Sequence, residues 1–439
     1  MPRSRAFAVE APGAERLVDS VRAAQLPLTG PADLEPLLER LAAARFVLLG
    51  EASHGTSEFY TLRTRLTRRL VEEHGFDLVA VEGDWPDCQR VNAWIQGGAG
   101  GSAREVLAAF GRWPRWMWAN EEVARLAGWL REHNAGRPPG QRVGFHGLDV
   151  YSLWESLQAI FGYLRHANPE ALPAALRALL CFEPYGEDVQ EYARATRLVP
   201  ETCEQEVVAL LAELRRRPAP PGADGWFEAE QNALVLQHAE AYYRAMVRGG
   251  PESWNIRDRH MHETLERLVS RLRPGGKAIV WEHNTHVGDA RYTDMVADGL
   301  LNVGQLTRLA HPGQTQLVGL GTHRGTVIAA QAWDAPAEVM HVPDARDGSW
   351  EDVLHRALRG DDGWFLFDGA SRELLEPRGH RAIGVVYHPE REAFGNYVPT
   401  VLPRRYDAFV FLDATSALHP IGGPGTDEHE VPETFPWGE

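Results

Sequence analysis

The sequence predicts an α/β protein: a mainly parallel core sheet flanked by helices and interrupted by a large helical insertion. Three observations predict it. Short, wholly apolar runs recur, of the kind buried on both faces of a parallel sheet. The first two enclose an amphipathic helix, which makes a βαβ unit. Between about Tyr151 and Arg273 the strand signals disappear and the chain reads as nearly all helical.

Taken in order, residues 1–45 read as an N-terminal helical segment. The strand runs follow at 46–49, 78–81, 142–145 and 277–281, then at 316–320, 364–367, 382–386 and 408–411. In the first helix Ser57 is the expected cap, Phe59, Leu62, Leu66 and Leu70 recur at helical spacing, and Gly75 ends it. Prolines 169, 173, 184 and 200 and the 217–222 turn break the helical stretch. Its two ends rejoin strands of one sheet. We therefore expect an interrupted core of 46–150 and 277–420, with 151–276 as an insertion walling the cleft. Residues 421–439, rich in Gly, Pro and acidic side chains, read as a poorly ordered tail.

Composition narrows the function. Among 439 residues, 45 Lys+Arg against 61 Asp+Glu leave a net charge of −16, and no basic run is long enough to hold a phosphate backbone or anionic lipid. Nucleic-acid and membrane partners are not expected. An apolar leader is missing, because Glu10, Glu15 and Asp19 interrupt the N-terminal stretch, so a cytoplasmic protein is expected. Cys88, Cys181 and Cys203 are odd in number and form no C-x-x-C, which argues for separate thiols rather than a disulfide framework or a zinc site.

The chemistry concentrates at strand ends. Gly50-Glu51-Ala52-Ser53-His54-Gly55 follows the first strand, Glu82-Gly83-Asp84 the second, His146-Gly147-Leu148-Asp149 the third and Glu282-His283-Asn284-Thr285-His286 the fourth. In open α/β sheets, the loops beyond the carboxyl ends of the strands form the binding crevice. Four consecutive core strands thus deliver ionisable groups to one edge. Taken singly, each has a structural reading: a strand-end carboxylate can accept backbone N–H bonds, and a histidine near a helix start can be a packed turn residue. Arg63 shares the helix face of Phe59 and Leu66, where a cation needs carboxylate partners such as Glu51 and Glu82. Read otherwise, it is an exposed charge on a helix that also carries Arg65, Arg68 and Arg69.

Together these residues supply a hydrolytic site. A histidine can deprotonate water, a carboxylate can fix its tautomer, an arginine can stabilise an oxyanion and a second histidine can protonate the leaving oxygen. There is no Gly-x-Ser-x-Gly, so a serine nucleophile is not implied. Trp113-Pro114-Arg115-Trp116-Met117-Trp118 offers aromatic surface, with Trp116 as a candidate contact to an apolar substrate.

The 50–63 run, Glu82-Gly83, Asn255-Ile256-Arg257-Asp258-Arg259-His260-Met261 and 281–286 together resemble the erythromycin esterase family, with similarity from about Phe46 to about Pro420. The resemblance implies metal-independent hydrolysis of a macrolide lactone, and hence an antibiotic-resistance role in that branch. It implies His54 as general base, with Glu51, Glu82, Arg63 and His283 as its catalytic companions. His286, Asp149, Trp116, Arg257 and Asp258 are the expected substrate-side or supporting residues. The family includes members described as succinoglycan biosynthesis proteins, which the C-terminal stretches 382–390 and 406–413 resemble more closely. The reading is therefore of a cytoplasmic hydrolase of a small-molecule ester or lactone, with no cofactor. Two alternatives stand beside it: a Zn²⁺ or Mn²⁺ hydrolase using Glu51, His54, Glu82, His283 and His286 as N/O ligands, and a silent small-molecule-binding protein.

Overall fold

A computed structural model describes residues 12–185, 189–197, 202–216, 225–367 and 371–423. The tail expected at 421–439 therefore lies almost wholly outside the described residues. The strands are β1 (Gln25–Pro27), β2 (Phe46–Leu49), β3 (Leu78–Asp84), β4 (Gly144–Asp149), β5 (Ala278–Trp281), β6 (Thr315–Ala329), β7 (Glu338–Val342), β8 (Gly363–Leu366), β9 (Arg378–Arg381), β10 (Tyr397–Thr400) and β11 (Ala408–Thr415). Nine of them form one sheet in the order β1-β8-β11-β6-β2-β5-β3-β4, with β7 paired to β6. The ladders from β11 to β4 are parallel, while β1, β8 and β7 join antiparallel at the periphery. This is the mainly parallel α/β architecture that the apolar runs foretell. The four central strands are apolar on both faces because helices cover both.

Alternation divides each strand between the two layers. Val47, Leu49, Val79, Val81, Ile279 and Trp281 pack on one side. Phe46, Leu48, Leu78, Ala80, Ala278 and Val280 pack on the other. The helices that matter here are α1 (Pro12–Ala24), α2 (Glu35–Ala42), α3 (Ser57–His74), α4 (Trp85–Ile95), α5 (Ala103–Leu107) and α6 (Glu121–Asn134), followed by α7 (Leu153–Ala167), α8 (Leu172–Phe182), α9 (Val189–Ala195), α10 (Glu204–Arg216), α11 (Trp226–Met246) and α12 (Glu252–Arg267). Helices α7 to α11 share an apolar cluster of their own, built around residues such as Leu157, Ile160, Leu210, Leu236 and Tyr242. Helix α3 ends at Gly75, whose φ of 72° is the left-handed cap that glycine adopts without strain.

Three local expectations are corrected. Ser57 is the first residue of α3 and Thr56 the cap position, because the Ser57 hydroxyl donates to Glu122 Oε1 at 2.6 Å instead of capping. The run 382–386 is not a strand: its backbone N–H groups at Ala382 and Ile383 go to the Asn396 and Ala52 carbonyls, so no ladder propagates. The strand lies just before it, as β9 paired antiparallel with β10. Finally, Cys181 and Cys203 are bonded to each other across 22 residues, their Cα atoms 5.8 Å apart, while Cys88 is a buried free thiol. The bridge joins the end of α8 to the chain entering α10. Residue spacing carries no sign of that approach, since it depends on how two helices pack. Among the described residues no helix is long and apolar enough to cross a membrane.

Candidate active site

The carboxyl ends of β2, β3, β4 and β5 converge as parallel pairing requires. Beyond β2 the chain turns sharply through Glu51 to Gly55 before α3 begins. A Cβ at Gly55 would fall on the Ile328 backbone, so only glycine lets this loop lie against β6. The Asn284 N–H donates to the Glu51 carbonyl at 2.8 Å, tying the loop after β5 to the loop after β2.

Glu51 is the hinge of one chain of contacts. One of its oxygens meets His54 Nδ1 at 2.9 Å and the other accepts from Arg63 Nη2. A carboxylate only accepts, so His54 carries its proton on Nδ1 and turns Nε2 toward Glu82 Oε1, 3.9 Å away. Arg63 is fully buried, its guanidinium carbon 4.4 Å from the Tyr60 ring centroid and 4.6 Å from that of Trp281. It stands behind Glu51, between two aromatic faces, where it holds the carboxylate in place. That differs from the expectation of an oxyanion-stabilising Arg63 in the cleft.

A second chain runs through Arg257 on α12. Its Nε and Nη2 donate to the two Asp149 oxygens at 2.9 and 2.7 Å, Nη2 also donates to Glu82 Oε1 at 2.7 Å, and Nη1 donates to His286 Nε2 at 3.0 Å. Because arginine is always a donor, His286 Nε2 is an acceptor and its proton sits on Nδ1, which faces Asp258 Oδ1 at 2.9 Å. The His286 ring lies flat on Trp254, 4.6 Å between centroids. Burial opposes ionisation of Glu82, but the Arg257 guanidinium and the His283 backbone N–H outweigh it and hold its pKa well below the ordinary range. Asp258 is fully buried behind His286, so it orients that ring and does not border the cleft.

His283 is the neutral member. Its Nδ1 accepts from the Thr285 N–H at 3.3 Å and lies 2.8 Å from the Thr285 hydroxyl, which leaves the proton on Nε2. Nε2 has no hydrogen-bond partner of normal geometry, with the Ala52 carbonyl the nearby acceptor. Burial, and then the neighbouring His54, push its pKa well below the usual imidazole value. The His54 and His283 rings are 4.9 Å apart. A base and a neutral imidazole therefore lie side by side near an anionic carboxylate.

A cleft of about 620 Å³, open solvent at its mouth included, leads to this assembly. Its floor includes Glu82, Asp149 and Arg257, and its walls carry Phe110, Trp113, Trp118, Tyr151 and Trp333. Among the expected residues, Glu82, Asp149 and Arg257 border it. His54, His283, Glu51 and His286 are buried and are not among the residues that line it. Trp116 is buried and does not line the cleft, its neighbours Trp113 and Trp118 forming the aromatic wall instead. Sequence reasoning did not single out Asp84, Asp87 or Arg112. Asp84 pairs with Arg112 at 2.8 Å, and burial still raises its pKa to about 8. The only signal for it was its place at the same strand end as Glu82. His146 stacks on Trp85, its pKa lowered to about 3 by burial, and His323 stacks on His355.

The donor set does not suit a cation. Glu82 Oε1 and His286 Nε2 both accept hydrogen bonds from Arg257, and Glu51 is taken up by Arg63 and His54. Among the described residues no group of three or more His, Cys, Asp or Glu side chains is arranged to hold a metal ion.

The family model described as erythromycin esterase matches residues 71–415, an interval that includes Glu82, Asp149, Arg257, His283 and His286 and begins after the 50–63 run. The chain is 25% identical over 320 residues to erythromycin esterase type II of Escherichia coli, covering 68% of this chain and 73% of that one. It is 23% identical over 407 residues to the putative hydrolase YbfO of Bacillus subtilis (strain 168), covering 87% and 86%. Among solved structures it matches a succinoglycan biosynthesis protein with a TM-score of 0.75 at 20% identity, over 95% of this chain and 100% of that one. It also matches a mutant of the erythromycin esterase EreC in its open conformation, with a TM-score of 0.62 at 19% identity, over 91% and 96%. At these identities the structural matches speak for the fold.

Proposed function

The chain belongs to the erythromycin esterase family, a premise that suggests a hydrolase, and we propose that it cleaves a carboxylic ester or macrolide lactone with water activated by His54 and without a metal. One observation carries the reading: the ring of His54, held by Glu51 through Nδ1, lies 4.9 Å centroid to centroid from that of a neutral His283, whose Nε2 has no hydrogen-bond partner of normal geometry. A packing role needs no such pairing of a base and a spare donor.

The steps follow from the atoms. A water between His54 Nε2 and Glu82 Oε1, themselves 3.9 Å apart, is within hydrogen-bonding reach of both. Its oxygen adds to the acyl carbon as Nε2 takes a proton. Charge gathers on the acyl oxygen and, as the C–O bond breaks, on the leaving oxygen. The His283 Nε2–H donates to the oxygen where it develops, with the Arg257 field behind it. The His54 imidazolium then returns its proton to the alkoxide, giving an acid and an alcohol. Arg63 acts through Glu51, whose orientation fixes the His54 tautomer.

The test is a panel of simple esters and macrolides incubated with the protein and followed by mass spectrometry for the addition of one water. Turnover by the wild type, abolished in His54→Ala, is the expected result. Full activity in His54→Ala overturns the base assignment. Ligand binding without hydrolysis across the panel overturns the enzymatic reading, and loss with chelator restored by Zn²⁺ or Mn²⁺ overturns the metal-free one.

A further inference from the structure

Glu282, the residue between Trp281 and His283, takes no part in the mechanism above, yet its position is unusual. Val81 of β3 stands opposite Trp281 of β5 in a parallel ladder, so Glu82 and Glu282 are the next residues of two paired chains. Ala80 and Val280 belong to the same apolar layer, and alternation returns Glu82 and Glu282 to that face. Parallel neighbours lie roughly 4.8 Å apart, so the two residues follow neighbouring positions at the same edge of the sheet.

Their surroundings differ sharply. Glu82 receives Arg257 Nη2 and the His283 N–H, each within 2.8 Å. Glu282 is 1% exposed, and neither of its oxygens receives a hydrogen bond. An anion stripped of water and given no donor takes up a proton instead. The charged groups that face it are Glu82 from β3, Asp149 from β4, and Asp258 and Arg257 from α12: three carboxylates against one guanidinium.

We propose that Glu282 is the proton-bearing half of a carboxyl pair with Glu82, and that its neutrality keeps Glu82 the sole anion of the pair between His54, His286 and Arg257. Burial first, and then the fields of Glu82 and Asp258, act on Glu282 in the direction this requires. One carboxyl of the pair has donors and ionises; the other has none and stays neutral. Were Glu282 to lose its proton, a second negative charge on the same face would compete for Arg257, which also holds Asp149 and His286. Glu282 does not border the cleft, so it is a positioning residue that acts through Glu82. Its proton does not move during turnover.

The consequence for rate rests on the hydrolase reading above; the protonation state does not, and the experiment separates the two. Infrared spectra of the intact wild type at neutral pH are compared with those of Glu282→Gln. The difference should contain the carbonyl-stretch band of a protonated carboxylic acid that shifts in heavy water. Asp84 can contribute a band of its own, so the difference spectrum carries the result. If Glu282→Gln does not fold, Glu82→Gln replaces it: removing the neighbouring charge should lower the pH at which the wild-type band disappears by about one unit. With an ester that is turned over, Glu282→Gln should move the alkaline limb of the kcat profile to higher pH. Absence of the band from the wild type, its persistence in Glu282→Gln, or an unmoved midpoint in Glu82→Gln overturns the proposal, whether or not any ester is hydrolysed.

Discussion

Arg257→Met tests whether the site is an electrostatic unit. Methionine preserves much of the aliphatic stem and the helix, but it removes the charge and four hydrogen bonds: two to Asp149, one to Glu82 and one to His286. Removing one partner of a buried ion pair costs about 3–5 kcal/mol, because the remaining charge is left in a medium that cannot solvate it. Two carboxylates lose their partner here, each about 95% buried or more, so a loss at or above that range is expected at neutral pH. The sign of the pH dependence follows from Glu82. Its pKa in the folded protein lies below the ordinary value, so its contribution is present above the unfolded value near about 4.3 and is lost as pH falls through the depressed one. The gap between wild type and variant should be full near neutrality and should narrow as the solution becomes more acid than that unfolded value. Urea unfolding followed by tryptophan fluorescence and far-ultraviolet circular dichroism, at neutral pH and in mild acid, measures both. A gap below about 0.5 kcal/mol at neutral pH, the size of an ordinary surface substitution, would refute the reasoning, as would a gap that widens on acidification. Combining the change with Glu82→Gln should be non-additive by at least about 1 kcal/mol, since the pair is then removed only once.

Two further expectations concern neighbouring features. Arg63→Met strands Glu51 and should cost about 3 kcal/mol; because Arg63 acts through Glu51 on His54, kcat should fall while KM holds, and a change confined to KM would contradict that placement. Cys203→Ser removes the bridge to Cys181, across a separation of 22 residues, and should lower stability by about 3 kcal/mol on the chain-entropy account. Treating the wild type with a reductant should reproduce that loss, and a urea midpoint indifferent to reductant would show the two thiols to be unbonded.

The sequence by itself determined the α/β class and the edge at which chemistry gathers. Both are local: apolar runs mark 46–49, 78–81 and 277–281 as buried strands, and Glu51, Glu82, Asp149 and His283 sit at or just past the carboxyl ends of strands whose parallel pairing sends them to one edge. Helical phase left Arg63 open between the sheet face and an exposed charge, and the structure buries it. Only the tertiary structure decided that Tyr60 and Trp281 clasp it behind Glu51, while Arg257, 108 residues from Asp149 and 175 from Glu82 in the chain, borders the cleft together with Arg112. The same holds for Cys181 with Cys203, for Trp113 and Trp118 rather than Trp116 at the cleft wall, and for the 382–386 run that lacks a ladder partner. The physical reason is common to all of them. Periodicity and strand-end chemistry are carried by a few adjacent residues, whereas the partner of a buried charge, the solvent-facing side of a ring and the protonation state of Glu282 depend on atoms brought together from distant parts of the chain.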